Sequence, residues 1–137
     1  MKLTTKSEYA LLALVHIARH QKDGFVKTEQ ICSKYHIPKK YLEQLLMALK
    51  QNRLLKTRRG ASGGYQLTPS AQKASLARII RIMDGPLAPT ESVSKYFFSR
   101  TPLSQEKKLL EPFREIRNYI DLKLEKIKLA DLAKAPR

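Results

Sequence analysis

The sequence predicts a mainly α-helical protein with one small β-hairpin and a long C-terminal helix. Apolar residues recur at helical spacing in several stretches of the first 85 residues. Residues 54–67 instead alternate like two short strands around a glycine-rich connection. Near the C-terminus, apolar residues repeat at almost heptad spacing. We therefore expect a helical domain with a hairpin over residues 1–85, a connecting loop over 86–103, and a helix with a C-terminal tail over 104–137.

Two helices are predicted before the first proline of the chain. A stripe of apolar residues over 6–20 indicates the first helix, which Thr4 or Thr5 would cap. A short second helix is predicted over Glu29–Tyr35, with Thr28 as its N-terminal cap.

The third helix follows a proline. The residue before a proline disfavours helix, and proline itself is well tolerated at a helix start. We therefore expect the second helix to stop near His36 and the third to start near Pro38 and run from Lys39 to about Gln51, where Asn52 takes a left-handed turn. Two short helices joined by such a turn form a helix-turn-helix.

The glycine-rich segment predicts a β-hairpin. Residues 54–58 have strand character, and residues 65–67 alternate back towards the first strand. Gly60, Gly63 and Gly64 lie in the connection, where positive φ angles are needed. A helix-turn-helix followed by a hairpin predicts a winged helix-turn-helix domain.

One more helix and a loop lead to the C-terminal segment. Ser75 is expected to cap a helix over Leu76–Met83, which Gly85 ends. Residues 86–103 show no strong period and are predicted to be a loop, with the apolar cluster Tyr96–Phe98 docked on the rest of the protein.

The C-terminal helix is predicted over about 104–127. Pro112 either kinks this helix or begins its main part, and Leu129–Leu132 adds a final turn. The near-heptad series is typical of helices that pair with another helix, and it predicts a dimer interface. The series consists of Leu109, Phe113, Ile116, Ile120, Leu124 and Ile127.

The amino-acid composition limits the classes of partner that are expected. The 27 Lys and Arg residues outnumber the 12 Asp and Glu residues, which gives a net charge of +15 and favours a polyanionic partner. No apolar run reaches the roughly 18 residues of a membrane span, and the N-terminal residues do not resemble a secretory leader. A single cysteine excludes an internal disulfide framework. We expect a cytoplasmic protein without a membrane partner.

The densest cationic patch lies where the third helix meets the hairpin, and it is expected to contact DNA phosphates rather than form an ordinary solvated face. Helix residues near the N-terminus of such a third helix can contact base edges, since glutamine pairs with adenine and glutamate accepts from cytosine. Lys39 and Lys40 suit phosphate contact at the helix start. The phosphate-contacting set is Lys39, Lys50, Arg53, Lys56 and Arg58.

Other chemistries find less support. His16 and His20 are spaced for a shared metal ion, but no further ligands accompany them, so no metal site is predicted. Cys32 and His36 could form a redox-active pair, although a small buried thiol is the simpler interpretation. No nucleophile, base and acid can be assembled, so we do not expect an enzyme.

Two motifs together resemble the Rrf2 family of bacterial winged-helix transcriptional regulators of the IscR, NsrR and CymR types. They are Tyr-Leu-Glu-Gln-Leu at 41–45 and Arg-Gly-Ala-Ser-Gly-Gly-Tyr-Gln-Leu at 59–67, preceded by Met-Lys-Leu-Thr-Thr-Lys at the N-terminus. The resemblance is strong over residues 1–85 and weaker to the end of the chain. It implies base contacts from Lys40, Tyr41, Glu43 and Gln44, an Arg59 that enters the minor groove, and a C-terminal helix that crosses to a partner subunit.

The resemblance also contains a departure. Cluster-binding members of the family carry three cysteines between the helix after the hairpin and the C-terminal helix, and residues 86–110 contain none. We therefore expect no Fe–S cluster and no other cofactor. The Tyr96–Phe98 loop occupies the region where those members place their sensor, and it either lines a ligand site or covers the core. The expected function is that of a sequence-specific repressor, a homodimer on a pseudo-palindromic operator in double-stranded DNA, whose signal comes from a small ligand or a protein co-regulator. The alternative is a basic module that coats nucleic acid or binds protein without sequence choice.

Overall fold

The computed structural model describes residues 1–134 and confirms the mainly helical fold with a two-stranded antiparallel hairpin. The last three residues of the predicted C-terminal tail lie outside the described residues. Short 3₁₀ turns at Gln21–Asp23, Glu91–Val93 and Pro102–Gln105 connect some of the elements. In chain order the helices and strands are α1 (Thr5–His20), α2 (Thr28–Tyr35), α3 (Lys39–Gln51), β1 (Leu55–Arg58), β2 (Gly64–Leu67), α4 (Pro69–Gln72), α5 (Leu76–Asp84), α6 (Lys107–Glu125) and α7 (Leu129–Leu132).

The main core forms around α1, which packs against α3, α5, α7 and β2. Each helix contributes one apolar face, as the periodicity predicts. The face of α3 consists of Leu42, Leu45, Leu46 and Leu49, all at most 4% exposed. Because this face is buried, the opposite face of α3 must point to solvent.

The helix-turn-helix is held by local hydrogen bonds that partly differ from expectation. Thr4 caps α1, because its Oγ1 accepts from the Ser7 N–H at 3.2 Å. The prediction that Thr28 caps α2 is wrong, since Thr28 is already helical and the Lys27 N–H is satisfied by Gln30 Oε1 at 3.2 Å. His36 ends α2 in the left-handed conformation, with φ 56°.

The turn after α3 is taken by a different residue from the predicted one. Asn52 was expected to be left-handed, but it has φ −89°, and its Nδ2 donates to the Ala48 carbonyl at 2.9 Å. Because its amide satisfies a helix carbonyl in that conformation, the left-handed turn falls to Arg53, with φ 62°.

The hairpin is the predicted wing. Leu55 pairs with Leu67 at its base and Arg58 with Gly64 near its tip. Val26 adds a short bridge to Tyr65, with a 2.8 Å N–H···O bond in each direction.

The hairpin glycines are needed for two different reasons. Gly60 and Gly64 have positive φ, at 103° and 142°, as predicted. Gly63 does not, so the prediction is wrong there. A Cβ at Gly63 would instead collide with the Arg58 carbonyl oxygen. The tip therefore requires close backbone approach as well as unusual dihedral angles.

The C-terminal helix is slightly shorter than the predicted range of about 104–127 and ends at Glu125. α6 begins at Lys107, so Pro112 lies inside the helix, and the interpretation that Pro112 begins it is wrong. Ser75 and Gly85 bound α5 as predicted, and α7 forms the predicted final turn.

The aromatic cluster of the connecting loop is largely exposed, which corrects the expectation that it docks on the rest of the protein; only the Tyr96 ring lies against Arg81 of α5. Tyr96, Phe97 and Phe98 are 64%, 43% and 66% exposed. Other residues hold the loop: buried Ala88 and Val93 pack against Leu110 of α6, and the Phe97 N–H donates to Ser94 Oγ at 3.0 Å. Within residues 1–134, no helix has both the length and the apolar composition to cross a bilayer.

Candidate nucleic-acid interface

The solvent face of α3 presents the polar residues expected to contact bases. Lys40, Glu43 and Gln44 are all exposed. None of the ion pairs found in residues 1–134 involves Lys40 or Glu43. These side chains are therefore available to a ligand that approaches the helix from outside.

Tyr41 is placed differently from its neighbours. Its ring is 39% exposed and meets the ring of Tyr9 on α1 edge-to-face, with 5.7 Å between the centroids. This contact fixes the ring direction, so Tyr41 both anchors the start of α3 and presents one edge outward.

Lys39 is engaged before any ligand arrives. Its Nζ lies 3.1 Å from Glu29 Oε1, and both side chains are more than half exposed. The hydrogen bond that Lys39 donates to Glu29 raises the pKa of Lys39. A hydrogen bond to its own backbone, followed by the contact with Lys39, lowers the pKa of Glu29. An exposed pair of this kind stabilises the fold little, but it shares the Lys39 charge with a carboxylate.

The wing carries the remaining cations. The Arg58 guanidinium carbon lies 4.5 Å from the centroid of the Phe25 ring, and this cation–π contact holds the arginine side chain in place. Arg59 is exposed at the tip, and Lys56 is exposed on β1. At the base, the Thr68 hydroxyl donates to the Arg53 carbonyl at 2.8 Å and ties the hairpin to the end of α3.

Comparison with known proteins agrees with this arrangement. The family model described as "Rrf2: Iron-dependent Transcriptional regulator" matches residues 3–135. The chain belongs to the Rrf2 family. Like its relatives, this Rrf2 protein is a DNA-binding transcriptional regulator.

Two similar sequences and two solved structures support the assignment. A protein of Mycobacterium tuberculosis strain H37Rv, named among HTH-type transcriptional regulators, is 34% identical over 97% of this chain and 81% of its own. CymR of Bacillus subtilis is 34% identical over 66% of each chain. The structure of B. subtilis CymR, titled the global cysteine regulator, superposes with a TM-score of 0.77 at 28% identity, over 97% of this chain and 96% of its own. T. potens IscR superposes with a TM-score of 0.73 at 27% identity, over 100% and 93%.

The iron named in the family description does not fit the donor atoms of this Rrf2 protein. Iron–sulfur clusters require thiolates, and the only cysteine, Cys32, lies in α2, away from the cysteine-free segment 86–110. Within residues 1–134, no three His, Cys, Asp or Glu side chains are grouped to hold a metal. His16 and His20 stack on each other with centroids 4.1 Å apart. Burial, followed by Glu29, raises the pKa of Cys32, which lowers its thiolate fraction and disfavours the redox interpretation.

The structure adds surface residues of this Rrf2 protein that the sequence did not single out. Met47 is 59% exposed and continues the α3 face one turn beyond Gln44. Lys27 lines a small cleft between the start of α2 and the wing glycines. The spacing of Met47 after Gln44 could have revealed the first residue. No sequence signal marks Lys27, because only folding brings the wing next to α2.

The near-heptad series divides between two environments, except for Ile127, which lies beyond the end of α6 at Glu125. Phe113, Ile120 and Leu124 are partly buried against apolar residues of their own chain. The other side of the helix carries an exposed stripe, defined by Leu109, Ile116, Tyr119 and Leu122, which are 46% to 72% exposed. Tyr119 and Leu122 were not identified from the sequence, because the near-heptad series follows a single line of residues along the helix. Exposed apolar surface of this kind is common at protein–protein interfaces.

Proposed function

We propose that this Rrf2 protein represses transcription in the cytoplasm by binding a pseudo-palindromic operator as a homodimer, without an Fe–S cluster. The observation that carries the proposal is the polar outer face of α3, exposed beside a cationic hairpin. The proposal divides the chain into a DNA-binding domain over 1–85, a connecting loop over 86–103 and a dimerisation segment over 104–137.

The outer face of α3 supplies the sequence reading. In a helix-turn-helix, the first turns of the second helix contact base edges in the major groove. Gln44 can bond bidentately to adenine, and Glu43 can accept from the cytosine amino group. Lys40 and Tyr41 complete the set one turn earlier. From the wing tip, Arg59 enters the adjacent minor groove, where a narrow groove attracts arginine.

The cations around this face supply affinity without sequence choice. Lys50, Arg53, Lys56 and Arg58 are exposed and neutralise phosphates, with Lys39 as a weaker member because Glu29 shares its charge. Each neutralised phosphate releases counterions, so the slope of log affinity against log salt is about −0.9 per contact.

The exposed stripe on α6 supplies the dimer contact. Twofold symmetry places the same stripe on both protomers and sets two half-sites about one helical turn of DNA apart. Ile116→Glu places a charge in the stripe and is expected to convert the dimer to a monomer in sedimentation analysis. Gln72→Glu adds the same charge on α4, which contributes no residue to the stripe, and is expected to leave the dimer intact. A dimeric Ile116→Glu protein contradicts this interface.

A nonspecific coating module is the second candidate, and the net charge of +15 favours it. The two candidates differ in competition binding. Duplexes selected from a random pool are labelled, and unlabelled copies of the selected or of a random duplex compete for the protein. A specific regulator requires about 10³-fold or more random duplex for the same displacement. Equal competition by both duplexes establishes the coating module and overturns the regulator.

A further inference from the structure

A second concave surface lies away from the DNA-binding elements. An open cleft of about 570 Å³ separates the connecting loop from the first turns of α6. This volume is in the range of small-molecule sites. No residue of α3 or of the hairpin lines the cleft, so the proposed DNA contacts do not account for it.

The cleft has an excess of unpaired positive charge. Arg100, Lys107 and Arg114 line it, with Glu111 as the only carboxylate among the lining residues. None of these four side chains belongs to an ion pair found in residues 1–134. Cations that surround a concavity reinforce one another's field, and arginine matches the geometry of carboxylate and phosphate groups.

One wall of the cleft is apolar. Phe98 lines it with 66% of its surface exposed, and Leu110 lies at the base with 7% exposed. An exposed aromatic ring beside unpaired cations is complementary to a molecule that has an apolar part and a negative group.

Hydrogen bonds already hold the loop that forms the cleft. The Thr101 hydroxyl donates to Ser92 Oγ at 2.8 Å, and the Thr101 N–H donates to Ser104 Oγ at 3.1 Å. Arg117 of α6 donates from Nη1 to the Val93 carbonyl at 2.8 Å. The walls are therefore preformed, which reduces the ordering cost of binding.

We propose that this cleft binds a small organic anion, with its carboxylate or phosphate at Arg100, Lys107 and Arg114 and its apolar part against Phe98. The inference deepens the proposed function by assigning the chemical class of the signal, and only the regulatory consequence rests on that function. The loop also contacts Arg81 of α5, whose guanidinium carbon lies 4.6 Å from the Tyr96 ring centroid and which donates to Asp121 and Glu125 of α6. An occupant can therefore bias the position of the dimerisation helix relative to the DNA-binding domain.

Calorimetric titration of the full chain, without DNA, tests the site. The probes are phenyl phosphate and phenylacetate, with inorganic phosphate and benzyl alcohol as partial ligands. We expect at least one aromatic anion to bind saturably, once per chain and more tightly than either partial ligand. Binding of phenyl phosphate alone indicates phosphate recognition, and binding of phenylacetate alone indicates carboxylate recognition. The absence of saturable binding by both aromatic anions, or equally tight binding of inorganic phosphate, overturns the proposal.

Variants locate the binding. Arg114→Gln removes a charge-assisted hydrogen bond and is expected to weaken binding about ten-fold or more, and Phe98→Ser is expected to weaken binding while sparing inorganic phosphate. Lys126→Gln removes the same charge at the far end of α6 and is expected to bind like wild type. Wild-type binding by both Arg114→Gln and Phe98→Ser overturns the site. If the protein binds the anion but shows no sequence preference on DNA, the proposed regulatory function is refuted and the anion site is still supported.

Discussion

Two ion pairs join α5 to α6, and the size of their contribution to stability can be predicted from their distances and burial. Arg81 on α5 donates from Nη2 to Asp121 Oδ1 at 2.9 Å and from Nη1 to Glu125 Oε1 at 2.7 Å, both on α6. The Arg81 and Asp121 side chains are only 14% and 10% exposed, while Glu125 is 46% exposed. The perturbation is Arg81→Met, which keeps an unbranched apolar stem and removes the charge.

The size of the expected loss in stability depends on which carboxylate is left without its cation. Removal of Arg81 leaves the Asp121 carboxylate buried without its cation, and loss of one member of a buried pair costs about 3–5 kcal/mol. The half-exposed Glu125 adds at most about 1 kcal/mol because solvent screens it. The expected loss in the free energy of unfolding is therefore about 3–5 kcal/mol, a large part of the typical stability of a domain.

The same ion pairs predict that the stability of the fold depends on pH. The hydrogen bond from Arg81 is the main cause of the lowered pKa of Glu125, whose ordinary value is 4.5. A carboxyl with a depressed pKa contributes stability above its ordinary pKa and loses it as the pH falls through the folded value. Wild type is therefore expected to lose this contribution below about pH 4.5, and Arg81→Met is expected to lack most of it, since Ser75 still donates to Glu125.

Urea unfolding followed by circular dichroism measures both effects. Asp121→Asn in the Arg81→Met background removes the stranded charge and is expected to recover part of the lost stability. A loss below about 1 kcal/mol for Arg81→Met would show that the pair behaves like an exposed one and would refute the reasoning.

Three further predictions concern the DNA-binding surface. Glu29→Gln frees Lys39 and is expected to tighten DNA binding and steepen its salt dependence by up to about one phosphate contact, measured by fluorescence anisotropy across salt concentrations. Gly63→Ala forces a Cβ against the Arg58 carbonyl, so the wing must shift, and DNA affinity is expected to fall while urea unfolding shows a retained core. Arg59→Ala is expected to weaken binding most on duplexes with A·T-rich flanks, measured by competition against G·C-flanked duplexes.

Matched controls separate these effects from general changes in charge or fold. Glu91→Gln changes the net charge as Glu29→Gln does, and an equal gain in affinity would remove the role of the Lys39 pair. Ser62→Ala alters the same wing tip without a backbone collision, and wild-type affinity in the Gly63 variant would contradict the close-approach argument. Lys73→Ala removes a remote cation and is the charge control for Arg59→Ala. An equal loss of affinity by Arg59→Ala on A·T-rich and on G·C flanks would contradict the entry of Arg59 into the minor groove.

The sequence predicted those parts of the fold that depend on local chemistry. The apolar faces, the proline before α3 and the serine cap of α5 each act within a few residues, so their patterns indicate helices directly. Where two local solutions compete, the pattern is not sufficient. Asn52 and Arg53 could each take the left-handed turn, and the choice depends on a side-chain bond from Asn52 to Ala48.

Features that depend on distant parts of the chain could not be predicted. The Lys39–Glu29 contact needs the angle between α2 and α3. The requirement at Gly63 comes from a carbonyl across the tip of the hairpin. The division of α6 into a packed side and an exposed side depends on where α5 lies. The exposed face of α3 could be predicted, because burying four leucines on one side fixes the other.

Base selection by α3 is tested most directly by repeating the selection from randomised duplexes with Gln44→Ala beside wild type, with Gln105→Ala as a remote control. We expect wild type and the control to select the same palindromic sequence. The Gln44→Ala protein is expected to lose preference at one base pair in each half-site, a discrimination of about 1–3 kcal/mol. An unchanged preference at every position of the site would contradict the reading of DNA by this face of α3.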